Sequence, residues 1–255
     1  MTDSINEHIQ EHGYGIIKGF ADEDRVEQLR QLCDEVRRPY EATSIDGKTI
    51  PGYVGGNLIA ETRELDDVVT DPRVISAFSN IVGARDARGM NLSDTGLKYV
   101  LPGQDVRELH RDDDIYPELS SGRSFTANAL LAVDPFNADV GATTVVPGSH
   151  LWDHPVDQDQ ETISIVMNPG DLLILAGRTW HGHGPNTTTD RERRAFNFYV
   201  CAGWLQTGHG IGCGMSEEEI AALPDTLRAM LTHYVMSWLS GHTGSKLRAR
   251  TEHTS

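Results

Sequence analysis

Apolar residues recur at helical spacing in the first third of the chain and at strand spacing through its middle. Val26, Leu29, Leu32, Cys33 and Val36 fall on one side of a 3.6-residue period. They predict a helix that opens at Asp22 or Asp24 and runs to about Arg38, where Pro39 ends it. Val74, Ile75, Phe78 and Ile81 predict a second helix over about 72–82, capped by Asp71 and started by Pro72. Residues 3–11 read as a short polar helix, and Gly15–Gly19 as a strand bounded by glycines. Residues 40–60 hold Pro51, Gly52, Gly55 and Gly56 with little periodicity, the pattern of a long loop.

From residue 95 the texture changes to short β-rich runs. Gly96–Leu101, Ser124–Val133, Ala142–Val146, Thr162–Met167, Asp171–Leu175 and Arg194–Ala202 are the expected strands. Turn dipeptides such as Pro102-Gly103, Asp134-Pro135, Pro147-Gly148 and Pro169-Gly170 separate them. Many short strands at such spacing predict an antiparallel barrel or double-sheet jelly roll. Helix returns after Ser216, which forms a capping-box pattern with Glu219. Leu227, Met230, Leu231, Tyr234, Trp238 and Leu239 then make an apolar face, and the tail from Gly241 is polar. The expected organisation is one domain over 1–255: a helical part over 1–90, a β core over about 95–202 and C-terminal helices over about 216–240.

Composition narrows the function classes. The formal charge of −16 disfavours nucleic acid and anionic membranes as partners, because phosphate binding needs a basic surface. No apolar run approaches a membrane span, and the first residues lack the pattern of a signal peptide. Cys33, Cys201 and Cys213 are odd in number and widely spaced, which predicts a reducing, cytoplasmic setting rather than a disulfide framework. The oligomeric state is not legible.

His110-Arg111-Asp112 carries the clearest chemical signal. In extended backbone, residues two apart point to the same side, so Asp112, the i+2 partner, is the expected ligand, with Asp113 and Asp114 as solvated or hydrogen-bonded loop carboxylates. A histidine from a distant strand would complete a face of two imidazoles and one carboxylate, the donor set of non-haem Fe(II) oxygenases. Trp180-His181-Gly182-His183 offers two such histidines, and spacing alone does not choose between them. Beyond this histidine-rich turn lie Arg191, Arg193 and Arg194; Arg191 fits an exposed turn. Alternation puts Arg193 with Ala195, Asn197 and Tyr199, and Arg194 with Phe196, Phe198 and Val200. An arginine entering a barrel interior needs an anion, which suits a dicarboxylate bound through two parallel hydrogen bonds.

These residues together resemble the phytanoyl-CoA dioxygenase family of Fe(II)- and 2-oxoglutarate-dependent oxygenases. The resemblance runs from His110 through Gly141–His150, Pro169–Leu175, His181-Gly-His-Gly-Pro-Asn186 and Arg193-Arg194-Ala195. It implies a double-stranded β-helix core of jelly-roll, cupin-like type. It makes His110, Asp112 and His181 the iron ligands and places His183 near the cosubstrate. It selects Arg193 to hold the distal carboxylate of 2-oxoglutarate, with Arg194 as the alternative because this chain carries an extra residue before the arginine. His150 is not expected to bind metal. Several relatives carry a glutamine just before the first histidine; Arg107 and Glu108 stand here, so no such role transfers.

The implied chemistry consumes O2 and 2-oxoglutarate, releases succinate and CO2, and abstracts hydrogen from a C–H bond, with hydroxylation the default outcome. Asp112 argues against halogenation, since related halogenases give up the carboxylate to make room for halide. The implied substrate is a small organic metabolite, in keeping with natural-product tailoring. Its pocket is expected from residues 40–60, Arg111–Arg123 and Gly203–Met215, where glycines at 208, 210, 212 and 214 suggest a flap. Two other functions fit the same residues. One is a cupin-like metal isomerase, lyase or dioxygenase without 2-oxoglutarate; the other is a non-catalytic binding protein.

Overall fold

The polar helix α1 (Thr2–His12) leads through Gly13 into strand β1 (Tyr14–Ile17). Helix α2 (Glu23–Val36) follows, with the Asp22 side chain capping the amide of Arg25. All five residues of its predicted apolar face are buried. The computed structural model describes residues 2–37, 42–43, 49–50, 53–55, 57–105, 108–116, 119, 122–208 and 215–231. Pro39, Pro51, Gly52, Gly56, Arg107, Cys213, the glycines at 210, 212 and 214, Tyr234, Trp238, Leu239 and the tail from Gly241 lie outside them.

The stretch over 40–60 is more regular than its sequence suggests. It contains the short strands β2 (Ala42–Thr43), β3 (Thr49–Ile50) and β4 (Tyr53–Gly55) and the start of a one-turn helix α3 (Leu58–Glu61). Such short pieces carry no readable period of their own. Tertiary bonds define them instead: the Ile59 amide, for example, donates to Thr95 Oγ1. Helix α4 (Asp66–Val69) is too short to show a period either. Helix α5 (Pro72–Val82) appears as expected, capped by Asp71 and buried through Val74, Ala77, Phe78 and Val82.

The β core comprises β5 (Met90–Val100), β6 (Thr126–Ala132), β7 (Thr143–Val145), β8 (Ile163–Ser164), β9 (Leu172–Ala176), β10 (His181–His183) and β11 (Arg193–Ala202). The larger antiparallel sheet has the order β1-β9-β6-β11-β5-β4, and the smaller has β10-β7-β8. β5 begins six residues earlier than Gly96. A register shift beside Tyr199 and Val200 leaves Ser93 without a partner, and this bulge hides the strand's alternation. His181–His183 forms a strand rather than a turn, because both of its edges are paired. Helices α6 (Glu217–Ala221) and α7 (Asp225–Leu231) close the described chain, and the Ser216–Glu219 capping box is present.

Two apolar layers follow from the alternation of the central strands. Ala127, Ala129, Leu131, Phe196, Phe198 and Val200 face α2, α5 and α7, where they meet Leu29, Phe78 and Leu227. Their sequence neighbours Leu130, Ala132, Leu173, Leu175 and Ala195 face inward to Phe136, Val145, Ile165 and Met167 of the opposite wall. The two sheets thus enclose a jelly-roll interior, and a strand such as β9 is buried along its whole length. Arg193, Asn197 and Tyr199 share the inward parity of Ala195, which puts polar groups inside the roll.

Candidate metal centre

His110 and His181 face each other across an isolated antiparallel bridge. The His110 amide donates to the His181 carbonyl at 2.9 Å, and the His181 amide returns a bond to His110 at 3.0 Å. β10 pairs on its other edge with β7, where His181 lies opposite Val145. The glycine between the two histidines is required by this crossing: a Cβ at Gly182 would sit 2.7 Å from the Glu108 carbonyl oxygen. A short strand with glycine at its centre therefore carries His181 and His183 on one side and clears the passing chain on the other.

Both imidazoles of the bridge have their tautomer set by backbone. His181 Nδ1 donates to the Thr179 carbonyl at 2.9 Å, and His110 Nδ1 to the Glu108 carbonyl at 3.2 Å. Each Nε2 is thereby left as an acceptor. Arg111 is extended and Asp112 opens a 3-10 turn, so Asp112 returns to the side of His110. Its Oδ1 lies 3.9 Å from His110 Nε2 and 3.8 Å from His181 Nε2. Those gaps are too long for hydrogen bonds. One atom from each of the three side chains lies within 4.8 Å of the others, and among the described residues this is the one His/Cys/Asp/Glu group so arranged. Two neutral nitrogens and one carboxylate oxygen converging without bonding each other is a donor set that fits a divalent cation. Burial pushes the His181 imidazole below its ordinary pKa against the pull of Asp112, which keeps it in the neutral, ligating form.

The two remaining aspartates divide as ordinary structural groups. Asp113 is buried and accepts from the Thr126 amide and hydroxyl and from the Phe125 amide, fixing the start of β6. Gly177 is a glycine for the same reason, since a Cβ there would overlap Thr126 Oγ1 and Asp113 Oδ1. Asp114 pairs with Arg111 at the surface. His150 binds no partner of the triad; its Nε2 donates to the Gln10 carbonyl and ties its turn to α1.

The arginines separate cleanly. Arg193 is 3% exposed, its guanidinium lies 4.4 Å over the Phe136 ring, and both Nε and Nη2 donate to the Gly141 carbonyl. Among the described residues no carboxylate is within ion-pair distance of it. Burial pushes its pKa down to about 10, so it stays charged at neutral pH. Arg194 points the other way, holds Asp134 through two nitrogens and has its pKa raised by that bond. Arg191 pairs with Asp139 at the surface. His183 lies opposite Thr143, half-buried; burial lowers its pKa, with further contributions from Arg193 and His110. Asn186 donates to the Val100 and Arg191 carbonyls and so sets the path into β11.

Three contributors had little or no signal in the sequence. Asn128 donates from Nδ2 to Asp112 Oδ2 at 3.2 Å, and Tyr199, opposite it in register, donates to the Asp112 carbonyl. Gln158 takes the Leu109 amide on its Oε1 and donates from Nε2 to the Leu109 carbonyl, replacing a strand beside the His110 segment. The segment 203–208 is bolted over the same end of the roll. Asn91 donates to the Gly203 and Leu205 carbonyls, Tyr116 to the Gln206 carbonyl, and the Gly208 amide to Ser93.

The chain matches the phytanoyl-CoA dioxygenase family over residues 9–195. It is 35% identical over 217 residues to the multifunctional dioxygenase ausE of Aspergillus calidoustus, covering 77% of this chain and 72% of that protein. The dioxygenase FUM3 of Gibberella moniliformis is 31% identical over 219 residues, with 80% and 73% covered. Among solved structures, the α-ketoglutarate-dependent carbocyclase SnoK from nogalamycin biosynthesis superposes with a TM-score of 0.64 at 22% identity, covering 80% of this chain and 85% of its own. The epimerase SnoN from the same pathway gives 0.64 at 18% identity, with 79% and 83% covered. Those two likenesses establish the cupin-like jelly-roll fold. The chain belongs to the phytanoyl-CoA dioxygenase family, the non-haem iron enzymes that use 2-oxoglutarate and O2.

Proposed function

We propose that this protein hydroxylates an unactivated C–H bond of a small organic metabolite, with His110, Asp112 and His181 as the iron ligands. The observation that carries the reading is the convergence of three unbonded donor atoms within 4.8 Å, two of them imidazole nitrogens whose tautomers the backbone has set. Iron with 2-oxoglutarate supplies the oxidising power and releases succinate and CO2; the protein supplies ligation, placement and shielding. Arg193 receives the distal carboxylate of 2-oxoglutarate, because it is the inward arginine and no carboxylate among the described residues is within ion-pair distance of it. Arg194 is engaged with Asp134 and is not available for that task. His183, on the His181 side of β10, lines the same space.

A tailoring role is supported by relatives from fungi that carry the names of multifunctional dioxygenases. We read the whole chain as one catalytic unit on a small molecule rather than on nucleic acid or a membrane. Among the described residues no helix is long and apolar enough to cross a membrane, and Cys33 and Cys201 are free and buried, as suits the cytoplasm. The test is anaerobic addition of Fe(II) and 2-oxoglutarate. Wild type should develop the visible charge-transfer band of the chelate, and His110→Ala and Asp112→Ala should not. Arg193→Ala should need far more 2-oxoglutarate to reach the same band. A wild-type sample without the band, or a His110→Ala sample that keeps it, would sink the assignment.

A further inference from the structure

We infer that Asn128 is a positioning residue that turns a single oxygen of Asp112 toward the metal. This rests on the reading of His110, Asp112 and His181 as ligands and adds a device that governs how one of them binds. Asn128 is 2% exposed on the inner face of β6, in a strand that otherwise reads Thr-Ala-Asn-Ala-Leu-Leu-Ala. Its Nδ2 donates to Asp112 Oδ2 at 3.2 Å, while Oδ1 lies 3.9 and 3.8 Å from the two imidazole Nε2 atoms. A carboxylate held in this way binds through one oxygen. One that swung round to bind through two would fill a position the reaction needs open.

The orientation of the amide is fixed by chemistry. A flipped Asn128 would bring its carbonyl oxygen against an aspartate oxygen, acceptor against acceptor. With Nδ2 committed to Asp112, the Asn128 Oδ1 is left buried and, among the described residues, without a hydrogen-bond donor. A buried acceptor without a donor destabilises a fold. Leu130 and Ala132, which follow Asn128 at the same parity on the inner face of β6, are both apolar. An amide that costs stability and serves one oxygen of one carboxylate is explained by that carboxylate. Tyr199, directly across the ladder, holds the backbone carbonyl of the same aspartate at 3.1 Å. The β6–β11 pair therefore grips Asp112 at both its side chain and its main chain.

The test compares wild type with Asn128→Leu and Asn128→Ala, using Co(II) as a spectroscopic probe alongside thermal unfolding of the metal-free protein. Both variants should bind Co(II) roughly 10–100-fold more weakly, the usual cost of losing a partner to a ligand. Their visible Co(II) bands should change in position and intensity as the carboxylate changes its mode. The metal-free Asn128→Leu protein should melt at the wild-type temperature or above it. Unchanged affinity and bands would overturn the inference. So would failure of both variants to fold, or a fall in melting temperature in both, because either marks Asn128 as a packing residue. If wild type binds Co(II) no tighter than Asp112→Ala does, the ligand reading itself falls, and this inference with it.

Discussion

His181 and His110 stand opposite each other in one bridge, yet the chain holds them in different ways. The His181 side chain is 7% exposed, and its strand is laddered with β7 over all three residues, His181 to His183. The His110 side chain is 51% exposed, and its segment is held by one backbone bridge and by the amide of Gln158. One half of the centre is finished when the two sheets close. The other half is docked onto it by a few local bonds. A site built in this way has a rigid wall that fixes the geometry and a lighter wall beside it where rearrangement costs little.

The contrast breaks most severely at Gly182, where the two halves touch. Gly182→Ala forces the Glu108 carbonyl away and carries His110 with it, so turnover should fall on the order of 100-fold. Succinate formation and Co(II) affinity measure this together, and normal values in both would show that the crossing tolerates displacement. A smaller effect is expected from Gln158→Leu, which removes two neutral hydrogen bonds of about 1 kcal/mol each. Metal affinity should drop by at most roughly 30-fold at that scale, while the melting temperature barely moves. A large loss of stability instead would mean that the His110 segment is part of the cooperative core. The finest measurement is amide hydrogen exchange in the metal-free protein. Leu109 and His110 should exchange faster than Val146 and Leu173, and metal should slow only the first pair. Equal protection of both pairs before metal is added would erase the distinction.

The same division explains what the sequence revealed. His110 and Asp112 were legible because an extended backbone places residues two apart on one side, and that spacing is local. Parity put Arg193 with Asn197 and Tyr199 and Arg194 on the other face, but the sequence left Arg194 open as the alternative. The Arg194–Asp134 pair is what distinguishes them after folding. β10 escaped as a strand because three residues centred on glycine show no period; partners far along the chain define it. Gln158 had no signal at all, since its bond to Leu109 spans 49 residues without any repeating pattern. Asn128 left only one trace, a polar side chain in the middle of an apolar strand. Local spacing thus disclosed the donor atoms, whereas the groups that aim them depend on contacts made only after folding.

The exposure of His110 has a consequence for how such an enzyme lives with its metal. Because backbone carbonyls have already oriented both rings, the ion is not needed to bring the chain together, and folding can finish before loading. On the proposed ligand set, the solvent-facing His110 would be the side by which an ion reaches the centre. A mild chelator should therefore empty the centre without unfolding the protein, and fresh Fe(II) should restore it within the time of mixing. If that holds, occupancy of the proposed centre would follow the ferrous iron around it, because loading would ask no refolding of the chain.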